Sequence, residues 1–328
     1  MEYRLLGNSG LRVSELFLGT MAYGYPDGGL TEADARRVLD RYADAGGNVI
    51  DTANFYGDGN SERVVGELLA GRRERFVLAT KYTVTRDATD PNAAGNHRKN
   101  LVPSLEESLR RLRTDYIDVY WVHIWDRHTP LAETMRALDD AVRAGKVRYI
   151  GISDAPAWIV AQANTLADWR GWTPFAGLQA PYSLLRRDIE RELLPMAEAF
   201  GLTVAAWGPL GHGALARPPV PAGAASPDDP ESPVTVVVRE VAGELGASPA
   251  QVALAWTRTR SRAVHPLTGP RTVEELDDTL SALDLTLPAD AIERLETATG
   301  FAPGFPTDFI TEVEPSVFGD MSGRVLAR

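Results

Sequence analysis

The 328-residue sequence contains no cysteine. That excludes disulfides, thiolate nucleophiles and cysteine-bound metals, and it leaves the redox compartment undetermined. A basic block or stripe is also missing, and the net charge is −11. Nucleic-acid phosphates and anionic membranes are therefore poor partners. No apolar run is long enough to span a bilayer. The first residues, Met1-Glu2-Tyr3-Arg4, lack the apolar segment of a secretory signal. The expectation is a cytosolic protein. Two phosphate-binding signatures, Gly-x-Gly-x-x-Gly and the Walker loop, are absent as well. What remains is ordinary for a globular chain, with 44% hydrophobic and 24% charged residues.

Apolar runs alternate with amphipathic stretches along most of the chain. Residues 1–15 read as a β-hairpin around Gly7-Asn8-Ser9-Gly10. From Leu16 the pattern is strand then helix, eight times over, to about residue 285. Thr31-Glu32-Ala33-Asp34 is a helix-start signal, and Gly145 and Gly201 are helix stops. Regular alternation implies a parallel sheet, and eight units of this length predict an α/β fold, a single closed (β/α)8 TIM barrel. The Gly-, Pro- and Ala-rich segment 208–232 is a long loop. Residues 286–328 add a helix over Ala289–Thr299 and a loop-like tail whose phenylalanines are expected to pack on the body. No linker divides the chain, so 1–328 is read as one domain.

Barrel strands converge at their C-terminal ends, and four chemically capable residues stand at or just past such ends. Asn48-Val49-Ile50-Asp51 turns from apolar to acidic at Asp51, with Tyr56 in the loop beyond. Phe76–Thr80 runs into Lys81, and Tyr116–Val122 runs into His123. Each has a plainer reading: a turn-capping Asp, a packed Tyr, a solvated Lys, a hydrogen-bonded core His. Together they suit reduction of a carbonyl by hydride. A proton must reach the carbonyl oxygen as charge grows there. A tyrosine, with an ordinary pKa near 10, is sluggish unless an ammonium favours its phenolate. A buried ammonium in turn needs a counter-ion. Tyr56 is then the proton donor, Lys81 its tuner, Asp51 the lysine's partner, and His123 the group that orients the carbonyl oxygen.

Asp51-Thr52-Ala53-x-x-Tyr56-Gly57, Ala79-Thr80-Lys81, Tyr120-Trp121-Val122-His123 and Gly151-Ile152-Ser153 together resemble the aldo-keto reductase superfamily, over nearly the whole chain. The resemblance implies that Asp51, Tyr56, Lys81 and His123 form a catalytic tetrad. It also implies a nicotinamide cofactor across the barrel mouth. Gly19, Thr20, Met21 and Asp51 fall among its contacts. Ser153, Asp154 and Gln179 match positions that hold the carboxamide, although the family more often has Asn where this chain has Asp154. Trp207 matches an aromatic that stacks on the nicotinamide, and Gly208-Pro209-Leu210-Gly211 a loop around the pyrophosphate. Gly269, Arg271, Glu275 and Thr279 match the adenosine end. Arg271 suits a 2′-phosphate, while Glu275 and Thr279 replace the usual Gln and Asn. NADPH is expected over NADH.

The substrate pocket is expected from Tyr23, Tyr25, Tyr82, Trp125 and His128, with Met21 and the tail near Phe305. Such aromatics favour a carbonyl substrate with apolar or ring faces. No metal-ligand set is singled out, and the oligomeric state is left open. Two other readings stand beside the reductase. One is a redox-sensing regulatory subunit resembling potassium-channel β subunits, against which the lack of an extended N-terminal segment argues. The other is a lyase or isomerase using Lys81 as a Schiff base, which leaves Trp207 and Arg271 without a task.

Overall fold

In the computed structural model, residues 1–25, 28–216, 232–322 and 324 are described; most of the 208–232 loop therefore lies outside the described residues. The chain begins with an antiparallel hairpin, β1 (Tyr3–Leu5) and β2 (Arg12–Ser14). Eight strands then alternate with helices: β3 (Phe17–Gly19), α1 (Glu32–Asp44), β4 (Val49–Asp51), α2 (Asn60–Leu68), β5 (Val77–Tyr82), α3 (Arg98–Leu112), β6 (Ile117–Val122), α4 (Leu131–Arg143), β7 (Val147–Ser153), α5 (Ala157–Arg170), β8 (Phe175–Pro181), α6 (Leu193–Ala199), β9 (Thr203–Trp207), α7 (Pro233–Leu245), α8 (Pro249–Thr257), β10 (Val264–Thr268) and α9 (Val273–Ser281). Strands β3 to β10 pair in parallel and in sequence, and β10 returns to β3, closing the barrel. No helix among the described residues is long and apolar enough to cross a membrane.

The start signal at Thr31 acts as the sequence predicts. Thr31 caps α1 by accepting from Asp34 N, and Ser248 and Gln251 form a reciprocal capping box on α8.

Strand alternation sorts the side chains into two cores. One set faces the helices and builds the larger core, including Leu18, Ile50, Leu78, Tyr120 and Ile152. The other fills the barrel: Phe17, Val49, Val77, Ala79, Val119, Trp121 and Ala205. Trp121 occupies the barrel's centre because β7 and β8 present glycines to it. A β-carbon on Gly151 would come within 2.2 Å of the indole, and one on Gly177 within 2.9 Å. The hairpin closes the bottom. Leu6 and Val13 join the interior core, and Gly7 N donates to Thr203 Oγ1 at 2.8 Å.

The C-terminal region departs from expectation. α10 (Ala289–Thr299) is present, but the tail is not loop-like: Thr307–Phe318 forms α11. Nor does its aromatic content pack on the body. Phe301 is held, with the guanidinium groups of Arg187 and Arg191 each 4.8 Å from its ring. Beyond it Phe305 is 85% exposed, Phe309 and Phe318 are also exposed, and no residue of α11 is buried.

Candidate active site

The site lies at the C-terminal ends of the strands. Asp51 ends β4, and Lys81 stands one residue before the end of β5; both point into the barrel and are buried. Past β4 the chain continues along β5, with Thr52 N donating to Ala79 O and Asn54 N to Lys81 O. It then turns sharply through Gly57, Asp58 and Gly59, all in the left-handed region. This path brings Tyr56 back over Lys81. His123 continues the inward series Val119, Trp121 just beyond β6, its backbone N–H donating to Tyr82 O at 3.1 Å.

The four groups meet. Lys81 Nζ donates to Asp51 Oδ2, to the Thr52 carbonyl at 2.9 Å and to Tyr56 Oη at 3.0 Å. The Tyr56 and His123 rings stand edge to face, centroids 5.9 Å apart. A buried ion pair is a weak source of stability compared with apolar side chains of similar volume, so its presence here points to function.

Burial and charge fix the protonation states. Burial would discharge the Lys81 ammonium, but the Asp51 carboxylate and Tyr56 phenol outweigh it, and its pKa stays above the ordinary value. Burial raises the Tyr56 pKa by more than Lys81 lowers it. The phenol is thus protonated at neutral pH, the state a proton donor needs. The His123 imidazole is held down to about 3 by burial and then by Lys81, so it is neutral. Its Nδ1 is buried without a hydrogen-bond partner among the described residues.

Gln179 is tied into the same group, its Nε2 donating to Asp51 Oδ1 at 3.1 Å. Ser153 is buried at the end of β7, and Asp154 follows it at the mouth. Trp207 ends β9, half-buried, its Nε1 donating to Asp154 Oδ1 at 3.3 Å. After it, Gly208 has φ of +63°, and a β-carbon there would meet nothing within 4 Å. At the neighbouring strand ends Gly269 lies against Gly19, and the buried Thr268 Oγ1 has no partner among the described residues. An open glycine loop, an unspent hydroxyl and a half-exposed indole along one rim fit a long cofactor carrying phosphates and an aromatic ring.

Several expected residues stand elsewhere. Tyr82 is fully buried on the helix side of β5, stacked on Tyr120 with centroids 5.2 Å apart. It neighbours Lys81, and strand alternation sends neighbours to opposite faces. Tyr23 is buried in the helix-side core. Neither lines the mouth. Thr20 is fully buried, its hydroxyl occupied by the Asp51 carbonyl and Ser61, so it has no surface for a ligand. Thr279 is buried and spends its hydroxyl proton on the Glu275 carbonyl. Pro209 is buried, and Leu210 packs on the helix-side core.

Met21, Tyr25 and His128 are exposed. Trp125 is half-buried and meets a residue the sequence did not single out. Trp158, the second residue of α5 and 59% exposed, stands edge-on to Trp125 with centroids 5.9 Å apart. Its place five residues after Ser153, in the first turn of the helix that follows a barrel strand end, was the available signal.

Where the adenosine end was expected, Arg271 is exposed, and its guanidinium has no carboxylate partner among the described residues. Of its acidic neighbours, Glu275 accepts from Arg271 N at 2.7 Å, Asp277 pairs with Arg41, and Asp278 accepts from Ser248 and Gln251.

Residues 15–299 match the model of the aldo/keto reductase family. The chain belongs to that family. It is an oxidoreductase, and the family in general uses NAD(P)H. It is 42% identical to the norsolorinic acid reductase stcV of Emericella nidulans, over 96% of this chain and 86% of that protein. It is 39% identical to a norsolorinic acid reductase of Aspergillus flavus, over 94% of this chain and 84% of that protein. It is likewise 39% identical to an aryl-alcohol dehydrogenase of Pestalotiopsis microspora, over 94% and 85%.

Proposed function

We propose that this protein interconverts a ring-bearing carbonyl compound and its alcohol, with NADPH as the reducing partner. The observation that carries the reading is the hydrogen bond from Lys81 Nζ to Tyr56 Oη, backed by the buried Asp51. The cofactor, when bound, supplies the hydride. The remaining work falls to the chain. Tyr56 donates its proton to the carbonyl oxygen and becomes a phenolate, which the Lys81 ammonium stabilises as it forms. Asp51 keeps Lys81 charged. Neutral His123 donates a ring N–H to the carbonyl oxygen and fixes its direction.

Ser153, Asp154, Trp207, Gly208, Gly211 and Gly269 are the proposed cofactor contacts, with the Arg271 guanidinium for a 2′-phosphate. The exposed Arg271 guanidinium, with no carboxylate partner among the described residues, supports NADPH over NADH. The Trp125–Trp158 pair, with Met21 and Tyr25, offers flat apolar surface for an aryl substrate, and the reductase and dehydrogenase names of the relatives agree with it. A panel of aryl aldehydes, cyclic ketones and keto sugars, followed at the NADPH absorbance, tests this reading. Aryl aldehydes should turn over fastest, and Tyr56→Phe should abolish turnover while keeping NADPH affinity. Undiminished turnover in that variant would refute the role of Tyr56.

A further inference from the structure

Asp154 ties together three parts of the mouth. Its N–H donates to Gln179 O at 3.1 Å, and its carbonyl accepts from Trp125 N at 3.4 Å. Its Oδ1 accepts from Trp207 Nε1. Its backbone is left-handed, with φ of +47°. Among non-glycine residues that conformation favours Asn and Asp alike. An asparagine would suit the backbone and accept the indole N–H equally well. The negative charge is therefore surplus to the structural need.

We propose that the Asp154 carboxylate sets the balance between oxidised and reduced nicotinamide on this protein, favouring the oxidised form by its charge while it holds Trp207 in place. The inference rests on the cofactor reading above. The oxidised nicotinamide ring is a cation and the reduced ring is neutral, while the phosphates are common to both. A carboxylate hydrogen-bonded to the indole that faces the ring attracts only the cation. Burial raises the Asp154 pKa, and Trp207, Ser153, Lys81 and Arg186 act against it. Lys81 and Arg186 are the cations acting on Asp154, and they partly offset its pull on a ring. One side of Asp154 is open to solvent, which screens it further. The net preference is about three- to tenfold, well below what an unscreened pair would give.

Calorimetric titration of the purified protein with NADP+ and, separately, with NADPH measures the effect without turnover. Asp154→Asn keeps the acceptor and removes the charge. It should raise the ratio of the NADP+ to the NADPH dissociation constant by about three- to tenfold and leave the NADPH constant nearly unchanged. Asp154→Ala should shift the ratio equally and also weaken both forms, because Trp207 loses its tether. In the wild type, added salt should move the ratio toward that of Asp154→Asn, a readout that needs no variant to fold. An unchanged ratio in Asp154→Asn, or a salt-independent ratio in the wild type, would overturn the proposal. Failure of the wild type to bind either form would instead refute the cofactor reading itself.

Discussion

The Trp121 indole stands where a side chain on Gly151 would have to go: a β-carbon there would lie 2.2 Å from Cζ3 of the ring. Trp121 stands beside Lys81, its partner in strand register. Gly151→Ala should therefore push the indole upward and destabilise the fold by about 1–3 kcal/mol, the usual range for overpacking. A thermal melt reads the loss. Trp121→Phe in the same chain should restore part of it, and two independent, additive losses would mean that the contact is not the cause.

Asp51 and Lys81 are both buried, so removing one strands the other. Lys81→Met should cost roughly 3–5 kcal/mol on top of abolishing activity, since it leaves a buried carboxylate unpaired. Lys81→Met with Asp51→Asn should be more stable than Lys81→Met alone, although equally inactive. Denaturant unfolding of the three proteins decides it; a double variant no more stable than the single one contradicts the account.

His265 lies at the bottom of the barrel, its Nδ1 3.1 Å from the Ser14 carbonyl oxygen and its ring 5.0 Å from Phe17. Burial depresses its pKa to about 4, against the pull of Ser14. The unfolded chain therefore takes up the proton first. Stability from this residue is full above pH 6.5 and is lost as pH falls through 4, by about 3 kcal/mol. His123, with a lower value, acts in the same sense. In urea unfolding between pH 7 and pH 4, His265→Asn should lose less stability than the wild type by about that amount. Equal losses would show that His265 does not carry the effect.

Arg271→Ala should weaken NADPH binding by tenfold or more and leave NADH within about twofold, because a guanidinium pairs with a phosphate that NADH lacks. Equal losses for both cofactors, measured by tryptophan quenching, would place the 2′-phosphate elsewhere.

Asp51, Tyr56, Lys81 and His123 were legible because strand ends converge in a closed barrel, and because period-two alternation fixes which residues face inward. Tyr82 was misread through the same rule: one position past an inward lysine, its side chain belongs to the other face. Tyr23 lies in a loop without a period to reveal its burial. The tie from Gln179 to Asp51 joins residues 128 apart, and nothing local announces it. α11 was missed because Pro315 interrupts it and no core stripe shaped its sequence. The Trp125–Trp158 pair needed the loop after β6 and the first turn of α5 to be brought side by side.

The hairpin closes one end of the barrel interior. With Leu6 and Val13 stoppering the far end, nothing passes straight through. Traffic with the interior is thus left to the opposite face, the one that carries Tyr56 and His123.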